Sequence, residues 1–311
     1  MPDFWPIVFM GTPEPAALTL ERLLEGPDPV VGVVTQPDRP AGRGQKSTPS
    51  PVRKLAESRG IPVIAPEKIR APEVLETLKK WNPRVVAVVA YGRILPRSIL
   101  ELPPAGCINV HYSLLPKYRG AAPIAWTILN GEREGGVTTI RLVEKMDAGP
   151  IYLQEGLELA PDETTSSLAA KLAPIGARLL LETIRGLKEG RLEGQPQDEA
   201  QATLAPMIKK EDGLIDWRQP AVAIERRVRA FTPWPSAYTH LRGKLMKIHR
   251  ARVLTGPSAA PGEVVRADAG GFWVATGDGL LALEEVQLEN RKRLPGTEFV
   301  KGARIRPGER L

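Results

Sequence analysis

The segment CINVH, residues 107–111, holds Asn109 and His111 two positions apart in a run of strand-forming residues. Side chains alternate along an extended strand, so these two share one face, about 6.6 Å apart along the chain. An amide can donate a hydrogen bond to a developing oxyanion, and an imidazole can give a proton to that oxygen or polarise it. Together they suit acyl transfer at one small reacting group. A lone histidine at a strand end is more often structural, and Asn109 supplies the chemical company. Cys107 lies on the same face. Four residues of strand is about 13 Å, however, too far for His111 to activate a thiol, so Cys107 reads as a buried small hydrophobe. Asp147 sits in the turn MDAG. Aspartate can serve turn geometry alone there. If the hairpin folds back on the 107–111 strand, its carboxylate could instead orient the imidazole or accept a proton from an attacking amine.

The elements that must position these groups alternate in type. WPIVFM, VVGVVT and VVAVVA read as strands. Helices are expected from about Pro15 to Leu24, over PVRKLAESRG and over APEVLETLKKW. That order is a parallel α/β sheet. CINVH follows the loop ELPPAG, AAPIAWTILNG is helical up to Gly131, and strands GVTTIRLV and PIYLQEGLEL flank EKMDAG. A long amphipathic helix is expected from about Thr165 to Lys188. Residues 190–208 are polar and weakly periodic, as a linker would be. Beyond them LMKIHRARVL, GEVVRA, GFWVAT and LLALEEVQL read as short strands, with one helix over AVAIERRVRAF. A small, OB-like β-barrel closes such a set. The organisation is thus a domain over 1–189, a linker over 190–208 and a basic β-barrel domain over 209–311.

The 311 residues suffice for two cores. No run of 18 apolar residues occurs, and MPDFWPIVFM has neither a basic leader nor a small-residue cleavage site, so neither a membrane span nor a secretory signal is expected. One cysteine allows no internal disulfide and no cysteine-based zinc site, and fits a reducing cytoplasm. Three histidines, none in a ligand pair, give no expectation of a metal. The loop FMGTPEP opens a helix where α/β folds bind ligands, but Gly11 stands alone and no phosphate-binding GK[ST] follows.

The net charge of +7 is unevenly spread. Residues 1–205 balance at 24 basic and 24 acidic, whereas 209–252 carry 11 basic against 4 acidic. Such a surplus suits a polyanion, or else is a solvated basic face. The loop TQPDRPAGRGQKSTPSP presents Arg39, Arg43 and Lys46 among prolines and glycines that forbid a long helix or strand. It reads as a basic finger that orders on a phosphate backbone, or as an ordinary exposed insertion.

NVHYSLLPKYRGAAP, with FMGTPEPA, TQPDRPAGRG, VVAYGRILP, MDAGPI and FTPWPSAY, resembles the methionyl-tRNA formyltransferase family, in order and over essentially the whole chain. The resemblance implies a Rossmann-like formyltransferase domain, 10-formyltetrahydrofolate as formyl donor, and the α-amino group of initiator methionyl-tRNA as acceptor. It implies direct amine attack through a tetrahedral intermediate, with no metal. The family's catalytic trio falls on Asn109, His111 and Asp147, and its folate-contacting run on Ser113, Leu114, Leu115 and Pro116. The loop used against the acceptor stem falls on about Asp38 to Ser47, with Arg43 foremost. Arg226, Arg227 and Arg229 on an expected helix, with Lys244, Lys247, Arg250 and Arg252 on expected strands, would track the tRNA backbone. One departure is Tyr112, where the family usually has glycine; by strand parity it faces away from His111. A monomer in the cytoplasm is the expected state. Two other readings stand: a formyltransferase acting on a small amine such as an amino-sugar nucleotide, and a catalytically silent tRNA-binding protein.

Overall fold

A computed structural model describes residues 4–41, 46–256 and 259–311. The chain divides into two compact units, one comprising Met1–Pro123, Glu134–Glu158 and Ala169–Pro206, the other Ile124–Arg133, Leu159–Leu168 and Met207–Leu311. Of residues 190–208, expected as a linker, 190–206 thus lie within the first unit and 207–208 within the second.

The first unit opens with β1 (Ile7–Gly11), α1 (Glu14–Leu24) and β2 (Val30–Val34). A short hairpin of β3 (Arg39–Ala41) and β4 (Lys46–Thr48) precedes α2 (Pro51–Ser58). β5 (Val63–Ile64), α3 (Pro72–Trp81), β6 (Val85–Val89), α4 (Arg97–Leu100) and β7 (Cys107–His111) follow. After β8 (Arg119–Gly120) and α5 (Pro123–Leu129), which from Ile124 on belongs to the second unit, come β9 (Glu134–Arg141), β10 (Ile151–Glu158), α6 (Thr165–Lys188), in the first unit from Ala169 on, and β11 (Leu204–Ala205).

Among the described residues a seven-stranded sheet runs β10-β9-β7-β6-β1-β2-β5. From β7 to β5 the strands are parallel, and β9 and β10 run antiparallel at one edge. The central strands IVFMG and VVAVV are buried at every residue. Unbroken apolar strands of this kind need cover on both faces. One face packs Val8, Met10, Val86, Val88 and Cys107 against Val74 and Leu78 of α3 and Ile99 and Leu100 of α4. Gly11, at the end of β1, lies on the other face with Phe9: a Cβ there would fall 2.7 Å from Phe9 Cε1 and 2.8 Å from the Val89 carbonyl oxygen. The turn after β1 is therefore built for close backbone approach within the sheet.

α2 shows how local chemistry sets an element. Ser50 accepts the Arg53 N–H at 3.1 Å and caps the helix, and Pro51 occupies the first helical position, where its missing N–H costs nothing. The Ser50 hydroxyl also lies 2.8 Å from that of Thr35, and Arg53 pairs with Asp38 at 2.8 Å. Both ends of the basic loop are tied to one helix start.

The second unit contains α7 (Ala221–Ala230), β12 (Ala237–Leu241), β13 (Lys244–Leu254), β14 (Val264–Asp268), β15 (Gly271–Ala275), β16 (Leu280–Leu288), β17 (Leu294–Pro295) and α8 (Gly296–Ala303). These strands form an antiparallel β domain ordered β12-β13-β16-β15-β14, with β17 beside β16. The end strands β12 and β14 do not pair with each other among the described residues. Its core includes Met246, Ile248, Phe272, Leu281, Val286 and Phe299, and the last helix docks through stacked Phe272 and Phe299 rings with centroids 6.2 Å apart. β12 and α8 are not among the expected elements; β12 alternates in burial and α8 buries Phe299 and Val300 against the core.

Candidate active site

β7 lies between parallel β6 and antiparallel β9, with Asn109 opposite Ile140 and His111 opposite Thr138. The hairpin of β9 and β10 does fold back on the strand that bears Asn109 and His111. Its connecting turn thereby brings Asp147 to the carboxyl end of β7, where Asp147 Oδ2 lies 3.6 Å from His111 Nδ1. Asp147 Oδ2 also accepts the Gly120 N–H at 2.9 Å. The other ring nitrogen, His111 Nε2, lies 2.9 Å from the Tyr118 carbonyl oxygen. A carbonyl only accepts, so Nε2 carries a proton and Nδ1 is the nitrogen turned toward the carboxylate. His111 is 5% exposed, and the Asp147 side chain 12%.

Two backbone positions around the ring are unusual. Tyr118 has φ of 64° and Asp147 φ of 49°, both in the left-handed region. A non-glycine residue there costs energy that the surrounding structure must hold, although aspartate tolerates it better than tyrosine. Two residues past Asp147 the chain needs glycine for space: a Cβ on Gly149 would lie 1.7 Å from the Arg141 carbonyl oxygen.

Asn109 is partly exposed, and among the described residues its side-chain amide makes no hydrogen bond. An amide left free next to a fixed imidazole is available to a ligand.

The run Ser113–Pro116 follows directly and is pinned by its neighbours. Ser113 Oγ donates to Lys117 O at 2.7 Å, and Thr138 Oγ1 donates to Ser113 O at 2.6 Å. Thr138 Oγ1 accepts the Leu115 N–H at 3.2 Å. Gln154, opposite Thr138 on β10, donates to Leu115 O at 2.9 Å. The Leu115–Pro116 peptide is cis. Ser113 and Leu115 are buried, whereas Leu114 and Pro116 are partly exposed.

Cys107 is fully buried and its thiol donates to Ile99 O at 3.6 Å. Burial pushes the thiol up to about 12, against a smaller opposing pull from Arg141. It is packing, not a nucleophile. Tyr112 lies on the opposite face from His111: a Cβ on Gly176 of α6 would meet its Cε1 at 3.3 Å. Its hydroxyl is buried, and burial raises its pKa above the ordinary tyrosine value.

A further set of residues escaped the sequence reading. Arg119, 4% exposed, donates from Nε and Nη2 to Gln197 Oε1 at 3.0 and 2.8 Å, and it pairs with Glu199 at 3.0 Å. Gln197 Nε2 donates in turn to the carbonyls of Asp147 and Gly149, both at 2.7 Å. Glu199 is held down to about 2, first by its hydrogen bonds with Arg119 and Lys145. Nothing in the composition of 190–208 marks these positions, because their partners lie 50 to 80 residues away.

The basic candidates differ in what they do. In the β3–β4 hairpin the backbone of Arg39 lies opposite Thr48 and that of Lys46 opposite Ala41, and Arg43 lies outside the described residues. Arg227 donates to Asp212 O at 2.6 Å and covers the Phe231 ring. Arg229 pairs with Glu225 at 2.6 Å and donates to Glu163 O at 3.0 Å. Arg226 is packed against Gly131. All three, expected on a backbone-tracking surface, are half-buried; the helix docks through Ala221, Ile224 and Val228, and Arg227 and Arg229 spend hydrogen bonds within their own unit. On β13, Arg250 and Arg252 share Glu284 at 2.8 and 3.1 Å and stay mostly exposed. Lys244 is exposed and Lys247 half-buried, and neither has an acidic partner among the described residues.

Among the described residues no cluster of three or more His, Cys, Asp or Glu side chains is arranged to hold a metal, and no helix is long and apolar enough to cross a membrane.

Comparison with known proteins gives these observations a family context. Residues 6–184 match the formyl transferase family model, and 207–304 the model of the formyl transferase C-terminal domain. The chain is 49% identical over 305 residues to a methionyl-tRNA formyltransferase of Geobacter metallireducens, covering 98% of each chain. It is 51% identical over 300 residues to one from Desulfotalea psychrophila, covering 96% of this chain and 93% of that one. The solved methionyl-tRNA formyltransferase of Clostridium thermocellum shares the fold, with a TM-score of 0.56 at 17% identity over 92% of this chain and 99% of that one.

Proposed function

The chain belongs to the methionyl-tRNA formyltransferase family, and from that footing we propose that Asn109, His111 and Asp147 carry formyl transfer from 10-formyltetrahydrofolate to the α-amino group of methionine on initiator tRNA. The observation that carries the assignment is the free Asn109 amide beside a histidine whose two ring nitrogens are separately engaged, one by Tyr118 O and one facing Asp147.

The donor supplies an activated formyl group on a nitrogen. A site for it needs hydrogen-bond donors at the formyl oxygen and a fixed edge for the rest of the molecule. Asn109 meets the first need, and the pinned run Ser113–Pro116 meets the second. An α-amine with a pKa of about 8 is partly neutral near pH 7, so little base strength is required to expose its lone pair. The amine attacks the formyl carbon, giving a tetrahedral oxyanion that the Asn109 amide stabilises, joined by His111 once Nδ1, the nitrogen not spent on Tyr118 O, takes up a proton. Asp147 orients His111 and helps relay the amine's proton toward the departing nitrogen. A carbon–nitrogen bond forms to methionine as the one to the folate breaks, and no covalent enzyme intermediate is needed.

The basic groups on β13 and those of the 38–47 loop are assigned to the tRNA backbone. Lys244 and Lys247 are the best candidates on the unit, because among the described residues no carboxylate pairs with them, and Arg250 and Arg252 share one between them. We assign the enzyme to the cytoplasm as a monomer, one chain meeting one tRNA.

The test is formyl transfer to purified methionine-charged initiator tRNA, with charged elongator tRNA alongside, read by the mass of the released aminoacyl product. Formylmethionine confined to the initiator is expected. Transfer to a small amine instead of charged tRNA would overturn the acceptor, and tRNA binding without any transfer would overturn the catalytic assignment.

A further inference from the structure

Both groups that orient His111 are themselves held by one stretch of chain. Tyr118, whose carbonyl accepts from His111 Nε2, donates its own N–H to Thr203 Oγ1 at 2.9 Å. On either side of it, Arg119 N donates to Thr203 O at 2.9 Å, and Thr203 N donates to Pro116 O at 3.3 Å. β11 then pairs in parallel with β8, and Ala122 N donates to Ala205 O at 3.2 Å. At the other end, Gln195 and Ile151 exchange two backbone hydrogen bonds of 2.8 Å, which anchors the strand leaving the Asp147 turn. Between these anchors Gln197 reaches the carbonyls of Asp147 and Gly149.

We propose that residues 195–205 form a strap that sets the geometry of His111 and Asp147, with Gln197 as its positioning residue and Arg119 as the group that aims Gln197. The inference rests on the catalytic assignment above. The buried Arg119 guanidinium gives two donors to Gln197 Oε1, so the Gln197 amide nitrogen must face the Asp147 turn. Both of its hydrogens are then spent on the carbonyls of Asp147 and Gly149, one on each. That holds the backbone of Asp147 in its left-handed conformation, and with it the carboxylate facing His111 Nδ1. Glu199 closes the arrangement by accepting from Arg119 Nη1 and Nη2 at 3.1 and 3.0 Å. The strap acts through Asp147 and Tyr118.

Two near-isosteric variants separate this role from bulk stability. Gln197→Glu keeps an oxygen for Arg119 but cannot donate to both carbonyls, and Gln197→Met can do neither. Misplacing a reacting group by about 1 Å can cost on the order of a hundredfold. Both variants are therefore expected to lose tenfold to a hundredfold in kcat, with KM for charged tRNA and for 10-formyltetrahydrofolate within about twofold of the parent. The ¹⁵N shifts of the His111 ring should move in both, in protein that remains folded by circular dichroism. Turnover in Gln197→Glu equal to the parent would overturn the donor role, and unchanged kcat with unchanged His111 shifts in both variants would overturn the strap. His111→Ala in the same assay tells the two failures apart. An inactive His111→Ala beside active Gln197 variants defeats the strap alone, whereas a fully active His111→Ala defeats the catalytic assignment beneath it.

Discussion

His111 Nε2 and the carbonyl oxygen of Tyr118 lie 2.9 Å apart, and the carbonyl is carried by a residue at φ 64°. A tyrosine in the left-handed region persists only where its surroundings over-determine it. Here the hydrogen bond at one ring nitrogen settles the tautomer and leaves the other nitrogen to face Asp147.

Removal of the reacting groups should affect turnover and spare binding. Asn109→Ala is expected to lower kcat by about 10²–10³-fold, the usual cost of losing one oxyanion donor. His111→Ala is expected to lower it by about 10²–10⁴-fold. Single-turnover formylation gives the first quantity, and a filter assay with charged tRNA should show affinity within about twofold of the parent.

Asp147→Asn separates the turn from the chemistry. Asparagine tolerates the left-handed conformation, so the hairpin should fold and melt near the parent temperature. The carboxylate is lost, and formylation should fall by at least about a hundredfold. A variant with full activity would reduce Asp147 to a turn residue.

The thiol of Cys107 should be inert in the native protein. Its pKa of about 12 leaves it protonated at pH 8, and burial denies access. Iodoacetamide should label it only in denaturant, and Cys107→Ala should retain turnover within about twofold. Rapid labelling of folded enzyme would contradict the packing described here.

The basic residues should separate into two classes. Lys244→Ala and Lys247→Ala are each expected to weaken tRNA binding and to reduce the log–log salt slope by about one. Arg229→Ala should act on stability, because it leaves Glu225 without its 2.6 Å partner; a loss of about 1–3 kcal/mol is expected in urea melts. Arg43→Ala should depress tRNA-dependent formylation while sparing any slow hydrolysis of the folate.

Acid should loosen the strap through Glu199. Its carboxyl is lowered from 4.5 to about 2 in the folded protein, so its contribution is fully present above about pH 5 and is lost as pH falls toward 2. The urea midpoint of Glu199→Gln should therefore trail the parent at pH 7 and converge with it near pH 2. A gap that stays constant across this range would show that the ion pairs do not contribute.

The 107–111 strand, the long helix Thr165–Lys188 and the apolar strands of the sheet were legible because their signals are local: period-2 alternation, period-3.6 amphipathicity and buried β-branched runs. Asn109 and His111 shared a face for the same reason. The resemblance carried by NVHYSLLPKYRGAAP and the distant MDAG named the chemistry, because those motifs hold residue types at set spacings. Which way the Asp147 carboxylate faces was beyond local reading, since it depends on the pairing of β9 with β7 and on Gly120, 27 residues away. So was the use of Arg227 and Arg229, whose charge alone suits a polyanion but whose hydrogen bonds turn inward. The clearest case is 190–206. Its weak periodicity reads as a linker because it has no face of its own to bury; its order comes from backbone and side-chain hydrogen bonds to Tyr118, Arg119, Asp147 and Gly149, partners that only tertiary folding brings within reach.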